Sequence, residues 1–548
     1  MNDVIEGFYA MKHKATFTNR MKQNWLFILL SAFFGMWALA FIYHSSYVAI
    51  DDRRYFNLFD DAMISMRYAW NFSHGYGLVW NAGGAERVEG YTNLLMTLMM
   101  SVATFLFEKR YAVLAVQLTG IFFVLGSAFL ALQIFHTINP NRQPAAKYFL
   151  FTAILLYYPL NYWSLMGMET GMLAFLLGAG VFFSLQYANS QPLTESLKRR
   201  LPPIFPMSVL FGLAFLTRND SLLFAALAFL FLIPTLKNGH RSISIFFAAG
   251  FLYSAFVIGQ TVFRYFYYGE IVPNTYTLKL VGMPLVDRLQ NGWGFIQPFL
   301  KETSFIFLLA LIGVLLKFSF QKLYLLAIFL TSVLYQIYVG GDPWNYWRIM
   351  APTMPFLFIL FFEGCAEALR FFPKLKTAPA SSIIIFTLAL CGLSLADSRF
   401  LREMTLSALP HDNGATHKQT DIAIAINELT DENATIGVFW AGTIPYYTDR
   451  PAIDFLGKSD PYIANLPPDL SGQMGWLGMS SVPGHNKYDL NYSIKILMPT
   501  YVQEFEVGSQ NLNDWGAEHY VNVKYHGIRL YLLKDSAYVD WEKARLSR

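Results

Sequence analysis

An acidic pair and a basic residue lie within a short polar stretch between two apolar segments of this chain. Asp60 and Asp61 open the sequence DDAMISMRYAWNFS, which also contains Arg67, and a Gly-rich turn then leads into the run ERVEGYTN. If the first stretch is helical, Asp60, Ile64 and Arg67 share one face. One carboxylate could then take a proton from an acceptor hydroxyl, while the other orients the site or holds a cation.

The acidic pair also has a simpler explanation. Two carboxylates at the start of a helix on a membrane surface would complement the helix dipole. Spacing alone leaves both interpretations open. The density of charges among aromatic residues favours a site, because a connector between membrane spans does not need them, whereas a site for a phosphate-bearing sugar donor does.

Charged residues recur at the ends of later apolar segments. Glu169 opens an apolar helix in MGMETGM, where the helix dipole alone could explain it. Arg218 and Asp220, in TRND, lie between two apolar halves, where charges near a membrane tend to mark function or pairing. GGDPWNYWR holds Asp342 and Arg348 among aromatic residues. This arginine could bind a phosphate through two hydrogen bonds, or could anchor the chain at the membrane interface.

A further polar motif, PGHNKYD, contains His485 and Lys487. The two side chains could hold a phosphate or pyrophosphate leaving group, or could belong to a solvated turn. The chain has no Walker loop, HExxH motif or CxxC pair, so nucleotide hydrolysis and zinc chemistry have no support. Its two cysteines, Cys365 and Cys391, fall in or beside apolar segments and do not imply a disulfide framework.

Composition indicates a membrane protein. Of the 548 residues, 55% are hydrophobic and only 14% are charged. Many segments reach the roughly 20 apolar residues needed to cross a bilayer, so the sequence predicts a polytopic membrane protein. The net charge of +4 is small, and the basic residues cluster in short loops. They therefore report membrane topology and give no support to nucleic-acid binding.

The positive-inside rule predicts the orientation. Residues 1–23 are basic and should be cytoplasmic, and an uncleaved first span delivers residues 51–93 to the outside. Keeping the later basic loops inside gives about eleven spans and requires either that Leu94–Phe107 is a re-entrant or in-plane helix or that the loop at Arg142 is external. The short length of Leu94–Phe107 favours the first. The other apolar candidates are Val113–Phe135, Tyr148–Leu160, Met172–Gln186, Ile204–Thr217, Ser221–Ile233, Ile243–Val262, Phe305–Leu316, Leu323–Tyr338, Ile349–Phe362 and Ile383–Leu395.

The chain therefore divides into three regions: a cytoplasmic N-terminus (1–23), a membrane module (24–395) with its first external loop at 51–93, and an external domain (396–548). The last region alternates helix and strand patterns, which predicts a small α/β domain. Its predicted elements are an amphipathic helix at Asp421–Leu429, strands at Ala434–Trp440, Pro451–Leu456 and Ile494–Met498, and a hairpin of Val521–Tyr525 and Ile528–Lys534 turned at His526-Gly527.

Taken together, these segments resemble one family. The ordered motifs are FDDAMISMRYAWNFSHGYGLVWNAGGAERVEGYTN, GMETGM, TRNDSLLF, YYGEIVPNTYTLK, GGDPWNYWRIMAPTMP, AGTIPYYTDRPAIDFLG and PGHNKYD. They resemble the terminal β-(1→2) arabinofuranosyltransferases of actinobacterial cell walls, which have relatives described as flagellar motor control proteins. At Asn219 the chain departs from the pattern, because the family commonly has Pro there.

The resemblance implies a GT-C-type glycosyltransferase, which is a multi-span α-helical membrane protein with a C-terminal α/β extracytoplasmic domain. Its catalytic aspartate would be Asp60 in the first external loop, with Asp61 beside it. The EGYTN motif would contribute Glu89, Tyr91 and Asn93 to the substrate site. The other expected substrate-binding residues are Arg67, Glu169, Arg218, Asp220, Asn274, Lys279, Asp342, Arg348, His485 and Lys487.

The implied donor is a polyprenyl-phosphate sugar, with arabinofuranose as the known case, and the acceptor is a cell-surface glycan or glycoprotein. The reaction would occur on the outer face of the bacterial cytoplasmic membrane, where the C-terminal domain would bind the acceptor. Arg348, Arg218 or Lys279 could neutralise the departing lipid phosphate. No cofactor is therefore required and no metal ligand is assigned, although a divalent cation stays open.

Two other classes of protein compete with this interpretation. A transporter or flippase for the same lipid would place polar residues near mid-membrane and show weak inverted symmetry. A non-catalytic envelope or motor-associated protein would not need the acidic pair. The polar clusters of this chain fall at one predicted face and no symmetry is evident, which favours an enzyme.

Overall fold

The computed structural model describes residues 2–84, 86–140, 144–190, 201–237, 243–371, 398–471 and 482–546. Helices occupy most of the chain up to residue 371, because apolar segments in a membrane must satisfy their own backbone groups. In chain order they are α1 (Asn2–Ser45), α2 (Asp60–Ser73), α3 (Leu94–Leu106), α4 (Lys109–Ile138), α5 (Pro144–Leu155), α6 (Tyr158–Leu165), α7 (Thr170–Asn189), α8 (Ile204–Thr217), α9 (Leu222–Lys237), α10 (Ile243–Tyr268), α11 (Asn274–Leu280), α12 (Leu285–Leu316), α13 (Phe320–Val339) and α14 (Met354–Ala368).

Seven helical segments in the described ranges are long and apolar enough to cross a membrane. They are Asn24–Ser45, Lys109–Ile138, Thr170–Asn189, Asn219–Leu236, Ile243–Tyr268, Leu285–Leu316 and Phe320–Val339. The helices form one apolar core, in which α12 packs against α14 and α4 against α7. The multi-span helical architecture expected from composition is confirmed.

The expectation of about eleven spans exceeds these seven, because several apolar stretches form helices too short to cross about 30 Å of hydrocarbon unaided. α3 has 13 residues and α8 has 14. The predicted span Tyr148–Leu160 is divided into α5 and α6, because Pro159 in the first turn of α6 has no N–H to donate to the carbonyl of Leu155, where α5 ends. The last predicted span, Ile383–Leu395, lies outside the described residues.

The helix predicted in the first external loop is present with the expected bounds, as α2. It packs against α3 and against a short helix of the C-terminal domain. Asp60, Ile64 and Arg67 are all buried, as their shared spacing predicts. Asp60 and Arg67 bond to the C-terminal domain, whereas Asp61 points into a cavity described below.

The C-terminal domain combines short helices with a five-stranded mixed sheet. Its helices are α15 (Ser398–Met404), α16 (Asn413–Leu429), α17 (Thr443–Thr448), α18 (Pro461–Asn465), α19 (Asn513–His519) and α20 (Trp541–Leu546). A short pair of strands, β1 (Tyr47–Val48) and β2 (Arg54–Tyr55), follows α1. The strands of the C-terminal domain are β3 (Ile436–Val438), β4 (Ala452–Asp454), β5 (Tyr501–Val502), β6 (Glu506–Val507), β7 (Gln510–Asn511), β8 (Tyr520–Tyr525) and β9 (Ile528–Leu533). The sheet order is β4-β3-β5-β9-β8, and β3 is parallel to both of its neighbours.

Most predicted elements of this domain are confirmed. The helix at Asp421–Leu429 is the end of α16, and the hairpin of β8 and β9 turns at His526-Gly527, where both residues have positive φ. The strand predicted at Ile494–Met498 was wrong, because residues 491–496 form a π-helical turn. Asp489 starts that turn by accepting hydrogen bonds from the backbone N–H groups of Asn491 and Tyr492.

The first external loop and the C-terminal domain are joined by hydrogen bonds. Trp80 Nε1 donates to the carbonyl of Ala441 at 3.1 Å. Asn81 exchanges two bonds with the backbone of Ala452, at 2.8 and 2.9 Å. The loop and the domain therefore enclose the space between them and the membrane helices.

Candidate active site

A cavity of about 190 Å³ lies between α2, the segment 90–93, α11, the loop before α14 and the C-terminal domain. Its charged lining residues, among those the structure describes, are Asp61, Glu169, Asp220, Asp342, Arg218, Lys279, Arg348 and Lys458. Polar and aromatic side chains complete the wall, including Ser65, Tyr91, Asn93, Thr275, Tyr276, Tyr335 and Gln336. A concave space with converging charged groups is the expected form of a small-molecule site.

Asp61 is the cavity carboxylate of the acidic pair. Its Oδ1 accepts a hydrogen bond from Lys458 Nζ at 2.6 Å, and its Oδ2 accepts bonds from Arg348 Nη1 and Trp344 Nε1, both at 3.0 Å. Burial would raise the pKa of Asp61, but Lys458 and Arg348 more than offset it and hold that pKa below its usual range. Asp61 is therefore ionised and bears two basic partners.

Asp60 does not line the cavity. Its Oδ1 accepts hydrogen bonds from the backbone N–H of Thr443 at 2.8 Å and from the Thr443 hydroxyl at 3.0 Å, and its Oδ2 accepts one from the N–H of Gly442 at 3.2 Å. Burial raises the pKa of Asp60, which by itself suits a base. Its oxygens nevertheless face the start of α17, so its placement favours a positioning role over the expected role as base.

Arg348 and Asp342 form the pair that the motif GGDPWNYWR suggests. Arg348 donates from Nε and Nη2 to the two oxygens of Asp342, at 3.1 and 2.7 Å, and from Nη1 to Asp61. Both side chains are about 95% buried. The guanidinium is thus fixed in a fork against Asp342, and its remaining edge lies at the cavity.

A second charged cluster lines another part of the cavity. Arg218 donates from Nη1 to Glu169 at 2.9 Å and from Nη2 to Asp220 at 2.7 Å. The other oxygen of Glu169 accepts a bond from Asn93 Nδ2 at 3.2 Å, and Asn93 Oδ1 accepts one from the hydroxyl of Ser65. The structure therefore brings together four residues predicted from three separate motifs, although protein groups already satisfy most of their hydrogen-bonding capacity.

Lys279, at the end of α11, is the lining cation without a direct partner. Its ammonium makes no hydrogen bond or ion pair with any residue in the described ranges, and Gly484 packs against its aliphatic stem. Burial lowers the pKa of Lys279, although Asp342 opposes this effect. An ammonium that lines a cavity without a partner is a natural position for an anionic ligand group.

Two other predicted residues support the wall from behind. Glu89 is buried and ion-paired with Arg264 at the end of α10, and this arginine also donates to Asn219. Asn274 donates from Nδ2 to the carbonyls of Gly457 and Lys458, both at 2.9 Å. These groups hold the segment 90–93 and a loop of the C-terminal domain in place.

Tyr91 of the EGYTN motif reaches the cavity itself. Its side chain is buried and is among the residues that line the space. Its hydroxyl bonds to that of Tyr268 at 3.0 Å. Tyr91 is therefore a wall residue with its polar end already satisfied.

Arg67 and Lys487 also lie away from the cavity lining. Arg67 donates to the carbonyl of Trp80 at 2.9 Å and pairs with Asp449, which joins α2 to the C-terminal domain. Lys487 donates to the carbonyls of Thr277 and Ala464, at 3.1 and 2.7 Å. These placements favour structural roles for both side chains.

His485 packs edge-on against Trp344, with 5.5 Å between ring centroids. Burial, together with the positive charge of Lys458, lowers the pKa of His485 to about 3. The ring is therefore neutral near pH 7 and carries no charge that could hold a phosphate. The expected phosphate contact of the PGHNKYD motif does not fit this environment.

Sequence reasoning missed Lys458, which enters the cavity from the C-terminal domain. It follows the predicted strand Pro451–Leu456, and the carboxyl end of a parallel strand is where α/β sheets carry ligand-binding residues. The position of Lys458 just after a predicted strand could therefore have identified it as a candidate site residue. Trp344 was also missed, although it lies within a motif quoted for its Asp and Arg. Within the described ranges, no group of three or more His, Cys, Asp or Glu side chains is arranged to hold a metal ion.

Comparisons with known proteins bear on the fold. A family model described as a domain of unknown function (DUF8728) matches residues 409–531, within the C-terminal domain. No curated protein matches the sequence. The solved structure of ArnT from Cupriavidus metallidurans bound to undecaprenyl phosphate is similar, with a TM-score of 0.53 and 12% identity over 79% of this chain and 86% of that one.

Two structures of an archaeal oligosaccharyltransferase are similar over 95% of this chain and 75% of their own length. Both come from Archaeoglobus fulgidus: one is tethered with an acceptor peptide containing the NVT sequon (TM-score 0.53, 12% identity), and the other is AglB with an inhibitory peptide and a dolichol-phosphate (TM-score 0.52, 10% identity). At these identities the likeness shows a common fold. The chain has the GT-C-type fold that its motifs imply: a multi-span helical membrane part followed by a C-terminal domain with strands.

Proposed function

We propose that this protein is a membrane glycosyltransferase that moves a sugar from a polyprenyl-phosphate donor to a hydroxyl group of a cell-surface glycan or glycoprotein. The observation that carries the proposal is the charged cavity, in which Asp61 lies among basic side chains and Lys279 has no partner within the described residues. The common fold supports it, because its relatives include proteins solved with undecaprenyl phosphate and with a dolichol-phosphate.

The proposed chemistry needs a base and a cationic pocket. Asp61 takes the proton of the acceptor hydroxyl as that oxygen attacks the anomeric carbon. The bond between this carbon and the phosphate oxygen breaks, and its electron pair leaves with the lipid phosphate. Lys279 and the edge of Arg348 that faces the cavity stabilise the charge that develops on the phosphate.

Asp60 acts indirectly in this scheme. By binding the start of α17, it holds the C-terminal domain over the cavity and keeps α2 in position, so that its neighbour Asp61 faces the substrate. No divalent cation takes part in the scheme.

Arabinofuranose is the sugar that the motif resemblance suggests, and the outer face of the bacterial cytoplasmic membrane is the corresponding location. The charged cavity suits the phosphate of any polyprenyl-phosphate sugar, so the choice of arabinofuranose rests on the motif resemblance alone. The acceptor would approach from the aqueous side, where the C-terminal domain lies against the first external loop.

The test is transfer by the purified full-length protein. Labelled polyprenyl-phosphate arabinofuranose is incubated with surface glycans from a deletion strain, and both the released polyprenyl phosphate and the labelled glycan are measured. We expect labelled glycan together with an equal amount of released lipid phosphate. The proposal would be contradicted if the protein bound the lipid but transferred no sugar and if the deletion strain had the same surface glycans as the wild-type strain.

A further inference from the structure

The C-terminal domain supplies one of the charged groups of the cavity. Lys458 lies in the loop after β4, and Asp454 shapes this loop by accepting backbone N–H bonds from Leu456 at 3.0 Å and from Ser459 at 2.8 Å. The Lys458 side chain crosses the boundary between the domain and α2 to reach Asp61. The cavity is therefore incomplete without the C-terminal domain.

The backbone of this loop is held from two further sides. Asn274 of α11 donates to the carbonyls of Gly457 and Lys458. On the other side the loop lies directly on Gly90, where a Cβ atom would clash with Ser459 Oγ and come within 3.0 Å of the Lys458 carbonyl oxygen. The backbone is thus fixed, while the four-carbon stem of the lysine can still change rotamer.

The two cations that bind Asp61 differ in their freedom to move. The guanidinium of Arg348 is also held by both oxygens of Asp342. The ammonium of Lys458 has Asp61 as its one hydrogen-bond partner among the residues that the structure describes. A negatively charged ligand in the cavity can therefore attract Lys458 at the expense of one contact, whereas attracting Arg348 would disrupt a bidentate pair.

We infer that the ammonium of Lys458 exchanges partners during the reaction, moving from Asp61 to the phosphate of the lipid-linked donor. This inference rests on the proposed function for the nature of the donor. While Lys458 binds Asp61, the carboxylate is a poor proton acceptor. Once Lys458 binds the phosphate, Asp61 keeps its bonds from Arg348 and Trp344 but loses its closest cation, so it becomes a better proton acceptor. It then accepts the hydroxyl proton, while the phosphate gains the electron pair of the broken bond. Lys458 thereby couples donor binding to the activation of the base.

A double-mutant cycle on ligand affinity tests the exchange without requiring turnover. The full-length protein in nanodiscs is titrated with undecaprenyl phosphate, using wild type, Asp61→Asn, Lys458→Met and the double variant. Lys458→Met should weaken binding by about tenfold or more, as expected for the loss of a charge-assisted bond. Lys458→Arg should restore most of the affinity, and Lys524→Met, on the exposed outer strand β8, serves as a matched control without effect.

The Asp61→Asn variant gives the decisive comparison. It should bind undecaprenyl phosphate at least about fivefold more tightly than wild type, because Lys458 no longer has to leave a carboxylate. This gain should vanish in the Lys458→Met background. By contrast, Asp220→Asn, which removes a lining charge paired with Arg218, should have the same effect in both backgrounds.

A gain from Asp61→Asn that persists without Lys458 would show a general effect of charge and would overturn the exchange. Unchanged binding by a folded Lys458→Met protein would overturn it as well. Failure of the wild-type protein to bind undecaprenyl phosphate would instead contradict the donor class of the proposed function.

Discussion

The carboxylate of Asp60 accepts two hydrogen bonds from Thr443, one from the backbone N–H at 2.8 Å and one from the hydroxyl at 3.0 Å. Because successive residues of a helix point about 100° apart, Asp61 faces a different partner, the ammonium of Lys458. Helix geometry therefore gives these two adjacent aspartates different partners and different roles. One holds the C-terminal domain, and the other faces the cavity.

The contact between Asp60 and Thr443 predicts an effect on domain docking. In Asp60→Asn the amide can accept the two bonds from Thr443, but its NH₂ group then faces the N–H donor of Gly442. Leaving one buried donor unsatisfied costs about 1–3 kcal/mol. We expect a lower thermal midpoint and faster proteolysis between the membrane part and the C-terminal domain, with Asp514→Asn, an exposed site, as control. If Asp60→Asn resisted the protease as well as the wild-type protein does, this role of Asp60 would be contradicted.

Arg348 should tolerate lysine better than alanine. Alanine leaves Asp342 buried without its partner, which typically costs about 3–5 kcal/mol. Lysine keeps the charge but cannot reproduce the fork that joins Asp342 to Asp61. We expect Arg348→Ala to fold poorly and Arg348→Lys to fold with reduced turnover. Thermal unfolding and transfer rate, measured on the same preparations, check the order; equal stability of the two variants would contradict it.

Lys279 should make donor binding sensitive to alkaline pH. Burial lowers the pKa of Lys279, so its ammonium loses a proton at a lower pH than an exposed lysine does. Anion binding that depends on the charged form is full below this pKa and is lost as the pH rises through it. We expect Lys279→Arg to move the loss of undecaprenyl phosphate binding to higher pH, since arginine stays protonated. Superimposable profiles for the two proteins would show that Lys279 does not hold the phosphate.

The orientation expected from the basic loops predicts the location of residue Arg548. The positive-inside rule predicts that residues 51–93 lie outside, and the C-terminal domain is hydrogen-bonded to this segment. We expect a periplasm-active reporter fused after Arg548 to be active, together with one inserted at the exposed turn near Gly83. Activity of a cytoplasmic reporter at either site would contradict the topology.

Local sequence signals predicted the secondary structure near the site correctly. The acidic start and apolar spacing of α2 involve successive residues only three or four positions apart, so they can be recognised without any knowledge of the fold. The hairpin at His526-Gly527 was predicted for the same reason, because its turn residues favour positive φ. Short apolar stretches such as α3 were harder, because length and composition do not separate a membrane span from a buried helix.

The partners of the site residues could not be read from local patterns. Asp61 meets Arg348 and Lys458, which are 287 and 397 residues away in the sequence, and Asp60 meets Thr443 at a separation of 383. The sequence therefore located the acidic pair but could not decide which member faces the cavity. That decision depends on how the C-terminal domain is docked onto α2.

The most direct test compares sugar transfer by Asp61→Asn and Asp60→Asn, with rates normalised to folded protein that binds undecaprenyl phosphate. Removing a general base typically slows a reaction about 10²–10⁴-fold. The proposed roles predict a loss of this size for Asp61→Asn, with donor binding retained, and a smaller loss for Asp60→Asn that follows its reduced stability. Near-normal transfer by Asp61→Asn, alongside a stable but inactive Asp60→Asn, would contradict the assignment of Asp61 as the catalytic carboxylate.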